Sequence, residues 1–121
     1  MFPVQVENDI VIITSEAGQV KHVDVVETLS FIADNPSSYQ NKKLLIIDPG
    51  SDYDPSREEL QQFIGLIKLL LEKTFSRIAL VVSKIVHYGL GRITEGFTEL
   101  EKGQFSVFTD EQKARDWLSM I

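Results

Sequence analysis

The stretch from Asp48 to Ser56 gathers side chains able to do chemistry, with Asp48, Asp52 and Asp54 set among Ser51 and Ser56. Carboxylates at such spacing offer hard oxygen ligands to Mg²⁺, whose octahedral site takes one or two of them plus water. Asp and Ser are equally the residues of turns and helix caps, because their short side chains bond the neighbouring backbone. That structural use is the expectation for the acidic trio, and no metal or cofactor is expected. An aspartyl nucleophile at Asp48 would need a second Asp two residues on as general acid and base, and Gly50 stands there. Receiver-type phosphotransfer would need an acidic pair after an early strand. Thr14-Ser15-Glu16 does not supply it, although Lys84 could serve as the late basic residue.

His22 and His87 are the only histidines. Neither has the spacing of a metal pair or a catalytic triad. His87, beside Tyr88 and Arg92, is expected at the same carboxyl edge of a sheet as Asp48, so these residues form a candidate binding rim with Asp48, Ser51, Asp52 and Asp54. The run Gly89-Leu90-Gly91-Arg92-Ile93-Thr94-Glu95-Gly96 has a superficial likeness to a nucleotide loop, but four residues separate its last two glycines where the fingerprint has two. No catalytic residue is assigned.

Stepping along the chain, Val4 and Val6 alternate with polar neighbours, Asn8-Asp9 can turn, and Ile10 to Ile13 is apolar, which spells a hairpin. Asp24 with Glu27 reads as a capping box opening a helix that Asn35-Pro36 ends. Leu44 to Ile47 and Ile78 to Val82 are unbroken apolar runs, the signature of parallel strands covered on both faces. Ser56 with Glu59 caps a long helix that turns Leu60, Phe63, Ile64, Ile67 and Leu71 to the core and leaves Leu66, Leu69 and Leu70 outside that stripe. Leu90, Ile93, Phe97 and Leu100 mark the next helix, whose glycines are expected to permit close packing on the sheet. That helix is weakened by Gly89, Gly91 and Gly96 at about 1 kcal/mol each, and Gly103 stops it. Phe105 to Phe108 is a short strand. Thr109 with Gln112 caps a last helix carrying Ala114, Trp117, Leu118 and Ile121 on its core side, and Trp117 is expected in the core. The string ββαβαβαβα predicts one α/β domain over residues 1–121, with a mostly parallel central sheet, an N-terminal hairpin and flanking helices.

At 121 residues, 43% hydrophobic and 25% charged, the chain is sized and composed for one globular core. Its net charge of −6 repels phosphate backbones and anionic lipid, which argues against nucleic acid and membrane as partners. Cys is absent, removing disulfides and thiolate chemistry and fitting a reducing compartment. The first residues lack the basic and apolar regions of a signal peptide, so a cytoplasmic location without membrane insertion is expected.

The order of elements, together with Val81-Val82, Tyr88-Gly89-Leu90-Gly91-Arg92, Phe105 to Phe108, Ala114 and Trp117-Leu118, resembles the STAS-type, SpoIIAA-like domains. That group is related to anti-sigma-factor antagonists and compared in fold with CRAL-TRIO (Sec14-type) lipid-binding domains. In the antagonists a buried strand leads to Asp-Ser-Ser-Gly at a helix start, and the second Ser is phosphorylated. Asp54 and Ser56 match that motif, while Pro55 and Arg57 replace its first Ser and its Gly. The resemblance thus implies a non-enzymatic regulatory or protein-interaction module with Ser56 as candidate switch, an unidentified protein partner and a possible homodimer. The CRAL-TRIO comparison implies the alternative, a domain for a small-molecule or lipid-like ligand.

Overall fold

The computed structural model describes residues 1–120. β1 (Val4–Glu7) and β2 (Ile10–Thr14) pair antiparallel, turning through Asn8 at φ 55°, a left-handed conformation that Asn tolerates. β2 then runs parallel to β3 (Lys43–Asp48), β3 to β4 (Arg77–Val82) and β4 to β5 (Gln104–Phe108), so the five-stranded sheet follows chain order. The two unbroken apolar runs lie side by side at its centre, with Leu44 opposite Ile78 and Asp48 opposite Val82.

Alternate strand residues feed two cores. On one face Val11, Ile13, Leu44, Ile78 and Phe105 pack with α1 (His22–Ala33) and α3 (Arg57–Lys73). On the other, Ile12, Leu45, Ala79 and Val81 meet Ala114 and Leu118 of α5 (Glu111–Leu118). α4 (Ile85–Phe97) joins the first face, packing on β5 through Gly91, where an added Cβ would lie 2.5 Å from Val107 Cγ2. Only a residue without Cβ lets the helix sit that close. The sheet edge at β5 is occupied by Glu95, whose carboxylate accepts the Val107 N–H at 2.8 Å, a guard against edge pairing.

Several helix boundaries differ from the sequence reading. α1 starts at His22 with Lys21 at the N-cap position and no side-chain cap bond. The entering chain is fixed instead by a tertiary bond, Val20 N–H to Asp52 Oδ1 at 3.0 Å, and Asp24 lies in the first turn, where it meets the Met1 amine at 3.3 Å. A one-turn helix, α2 (Pro36–Tyr39), was not anticipated. Pro36 both forbids continuation of α1 and opens the next turn at a position where its missing N–H costs nothing. α5 is capped by Asp110, whose Oδ1 accepts the Lys113 N–H at 2.9 Å, and not by Thr109. The Ser56–Glu59 capping box forms as expected, with both reciprocal bonds. Leu70 is fully buried, not outside the core stripe. Trp117 is half-buried against Phe108 and under the Arg77 guanidinium, which lies 5.3 Å from its ring centre. Ile121 lies outside the described residues.

On α4 the expected close packing through glycine occurs at Gly91, and it sets which residues face inward. The inward residues are His87, Gly91 and Thr94, while Ile93 and Phe97 are 46% and 62% exposed and Leu100 stands free beyond the helix end. The reason is steric. The Gly91–Val107 approach fixes the helix rotation, so small residues face the sheet and the large apolar ones face solvent. The inward Thr94 and Thr98 hydroxyls are satisfied by donating to the carbonyls of Leu90 and Thr94 at 2.9 Å. Nor does Gly103 stop this helix: α4 ends at Phe97, and Gly103 is buried where a Cβ would press on the Phe75 carbonyl at 2.7 Å. Among the described residues, no helix is long and apolar enough to cross a membrane.

Candidate functional site

Parallel register puts the residues that end β2, β3 and β4 at one sheet edge, the edge where open α/β sheets bind ligands. Ser15 follows β2 and donates its N–H to the Ile47 carbonyl at 2.9 Å, Asp48 ends β3, and Lys84 and His87 follow β4. Asp48 organises the loop after it. Its Oδ1 accepts the N–H groups of Gly50 and Ser51 at 2.9 and 2.8 Å, and its Oδ2 accepts the Ser51 hydroxyl at 2.7 Å. Gly50 takes φ 121°, a left-handed value that brings its N–H onto the carboxylate and that a side chain would strain. Lys84 Nζ then ties the loop to α4 by donating to the Ser51 carbonyl at 2.6 Å. Burial pushes the Asp48 carboxyl up, but the Ser51 and Gly50 donors outweigh it, helped by nearby His87, so its pKa lies below the ordinary value.

His87 is 4% exposed, on the inner face of α4. Its Nε2–H donates to the Tyr53 carbonyl at 2.8 Å. Its Nδ1 lies 3.7 Å from Asp48 Oδ2. That separation is longer than the 2.7–2.9 Å or so of a charge-assisted bond, so the two groups are close neighbours without a direct hydrogen bond. His87 Nδ1 and Ser15 Oγ are buried with no hydrogen-bond partner among the described residues.

Ser15, Asp48, Tyr53 and His87 line one partly open cavity between the sheet face, α1, α3 and α4. The remaining wall is almost wholly apolar, from residues such as Ile13, Ile46, Leu80, Leu29, Phe63 and Leu90. Its volume of about 80 Å³ would hold roughly five to eight waters. One side of the site is stiffened by Tyr53, which stacks on His22 with ring centres 6.1 Å apart and shares a 2.7 Å hydrogen bond between its hydroxyl and His22 Nδ1. The other ring nitrogen of His22, Nε2–H, donates to Gln62 Oε1 at 2.9 Å, so both nitrogens are engaged. Burial, with Glu59 nearby, pushes the Tyr53 phenol up to about 12.

The structure therefore separates the sequence-derived candidates. Asp48 and His87 come together, and Ser51 supports Asp48 from a fully buried position. Asp52 and Asp54 are exposed and apart from the cavity, and Asp52 is spent on the Val20 N–H. No cluster of three metal-ligating side chains exists among the described residues. Tyr88 and Arg92 face outward, Arg92 pairing with Glu95 at 3.1 Å, so they leave the rim. Ser56 is exposed and occupied in its capping box. Ser15, Tyr53 and His22 were not singled out as site residues. Ser15 was legible in principle, as the residue after a parallel strand, whereas the Tyr53 contacts depend on how the loop folds back.

Neither a protein-family model nor a curated protein matches the sequence. Among solved structures the chain is similar to an uncharacterised protein of the DUF3478 family from Shewanella loihica PV-4, described as having a SpoIIAA-like fold. The two share 19% identity, with 98% of this chain and 92% of that one covered and a TM-score of 0.64. An N-terminal hairpin leading into a parallel sheet, with helices on both faces, is thus a SpoIIAA-like fold in this chain as well.

Proposed function

We propose that this chain is a non-enzymatic module that binds a small molecule in the cavity between its sheet and helices α1, α3 and α4. The observation that carries the reading is the cavity itself, about 80 Å³ of space with an almost wholly apolar wall between the sheet and three helices. Catalysis is disfavoured by geometry. In a Ser-His-Asp relay His87 Nε2 would have to reach the nucleophile, and here it is committed to the Tyr53 carbonyl. Volume narrows the ligand, since an engineered cavity of about 150 Å³ holds benzene, and one of about 80 Å³ suits a smaller molecule than a lipid acyl chain. Methyl NMR under xenon pressure tests the reading, xenon being a compact apolar probe. Saturable shifts at Ile13, Leu29 and Leu80 are expected, and shifts absent from these and confined to surface methyls would contradict it.

A second reading, a protein-interaction module, is favoured by the outer face of α4, where Ile85, Val86, Ile93 and Phe97 are exposed. Such a patch suits a protein partner or a second copy of the chain. Ser56 could act on this reading as a switch, a phosphate there adding about −1.5 to −2 charges beside Glu58, Glu59 and Asp54. Partner capture compared between wild type, Phe97→Asp and Ser56→Asp distinguishes the two surfaces. Unchanged partners for both variants would remove this reading. The net charge of −6 and the lack of Cys favour the cytoplasm for either role.

A further inference from the structure

Among the glycines of α4, Gly91 has its reason inside the fold, and Gly89 and Gly96 do not. A Cβ on Gly91 would collide with Val107, whereas one on Gly89 or Gly96 would meet nothing within 4 Å. Glycine weakens a helix interior, so the chain carries that weakness twice at positions its own packing leaves free. Both glycines are exposed, and at seven residues apart they fall two turns from each other on nearly one line of the helix. Apolar side chains surround that line. Ile85 is 92% exposed and Leu100, just past the helix end, is fully so, with Val86, Ile93 and Phe97 exposed between them. These five expose on the order of 600 Å² of apolar surface, the upper end for the largest patch of a typical monomer and most of the 800 Å² or so that each side of a standard interface covers.

The arrangement matches itself. Gly89 and Gly96 are equidistant from the midpoint between Arg92 and Ile93, and so are Ile85 and Leu100. A two-fold axis through that midpoint sets α4 antiparallel to a second α4, with Gly89 against the partner's Gly96 and Ile85 against the partner's Leu100. Such reciprocal contacts are what a two-fold dimer requires. Glycine facing glycine lets the helix axes come to the short end of their usual 8–10 Å or so. Charge agrees with this pairing. From Lys84 to Lys102 three basic residues balance three acidic ones, so the net charge of −6 lies elsewhere. Arg92, with 63% of its side chain exposed, can reach the partner's Glu99.

We infer that the outer face of α4 pairs with a second copy of this chain in a two-fold homodimer, glycine packed on glycine. This rests on the face being an interaction surface and names its partner. His87, Leu90 and Gly91 line the cavity from the other side of the helix, so pairing leaves the cavity free.

Sedimentation equilibrium of the full chain, from micromolar to submillimolar concentration, should show a reversible monomer–dimer transition. Gly89→Leu and Gly96→Leu discriminate between a fitted contact and a merely sticky patch. Each adds apolar surface where the chain itself has room, so a sticky patch would associate more tightly, whereas the fitted pair should weaken by about tenfold or more with the circular dichroism unchanged. Because the chain has no Cys, Ile93→Cys, beside the axis, should form a disulfide-linked dimer on mild oxidation, and Lys113→Cys, on α5, should not. A monomer throughout the range, or tighter association of the leucine variants, overturns the pairing. In that event partner capture lost on Phe97→Asp would keep α4 as an interaction surface for another protein, and capture unaffected by it would overturn that reading as well.

Discussion

Gly91→Ala should destabilise the protein even though it inserts a better helix former into an exposed-looking glycine-rich helix. The new Cβ would stand 2.5 Å from Val107 Cγ2, 2.6 Å from its Cβ and 3.0 Å from its Cγ1. Rotating Val107 moves the methyl groups but not Cβ, so α4 itself must lift from β5. Overpacking of this kind costs about 1–3 kcal/mol. Helix propensity returns about 1 kcal/mol, leaving a net loss of up to about 2 kcal/mol. Gly89 and Gly96 in the same helix have open space at their Cβ positions, so Gly89→Ala and Gly96→Ala should be neutral or stabilising by up to about 1 kcal/mol. Urea unfolding of the three variants at constant m-value measures the differences. The double variant Gly91→Ala, Val107→Ala should lose less than the sum of its parts, because the second change removes the obstacle created by the first. Gly91 is one turn beyond His87 on the buried face, so the same lift displaces the imidazole from Asp48. Gly91→Ala as stable as Gly89→Ala would refute the claim that this contact sets the rotation of α4.

Other outcomes follow from the site. Asp48 titrates below its ordinary value in the fold, so its contribution to stability is complete above the unfolded carboxyl pKa of about 3.9 and is lost as pH falls through the lower folded value. Asp48→Asn should flatten that part of the acid limb of unfolding, and an unchanged limb would contradict the loop geometry. Tyr53 is pushed up to about 12, so stability it lends below pH 10 or so is lost as pH rises towards the folded value. An absorbance titration should show a late phenol that Tyr53→Phe deletes, and a Tyr53 midpoint near the free value of about 10 would contradict its burial. Ser56→Ala should cost about 1 kcal/mol by removing the acceptor of the Glu59 N–H, while Ser56→Asp, another good cap, should fold almost as well. Equal losses for both would show that the capping oxygen contributes nothing.

The fold was legible because its signals are local. Unbroken Leu44 to Ile47 and Ile78 to Val82 can hardly be anything but covered strands, and the turn at Asn8 needs only a residue that accepts positive φ. The Ser56–Glu59 box was legible for the same reason, donor and acceptor lying three residues apart. What the sequence hid is what distant segments impose. Apolar spacing through Ile93 and Phe97 marked the helix, but the contact of Gly91 with a strand sixteen residues later decides which face turns inward. Asp24 had the composition of a cap, yet Asp52 anchors the start of α1 from across the loop. Half of the site was visible as Asp48 and His87 at one sheet edge. Its hydrogen-bond deficit was not, since an unpaired atom is defined by everything around it.

The central claim is that the apolar cavity between the sheet and helices α1, α3 and α4 takes up a small molecule. Methyl NMR of the labelled protein under xenon pressure observes the cavity wall directly, since xenon enters dry apolar cavities. The account expects saturable shifts at Ile13, Leu29 and Leu80. Shifts confined to surface methyls, or none at any pressure, would contradict it.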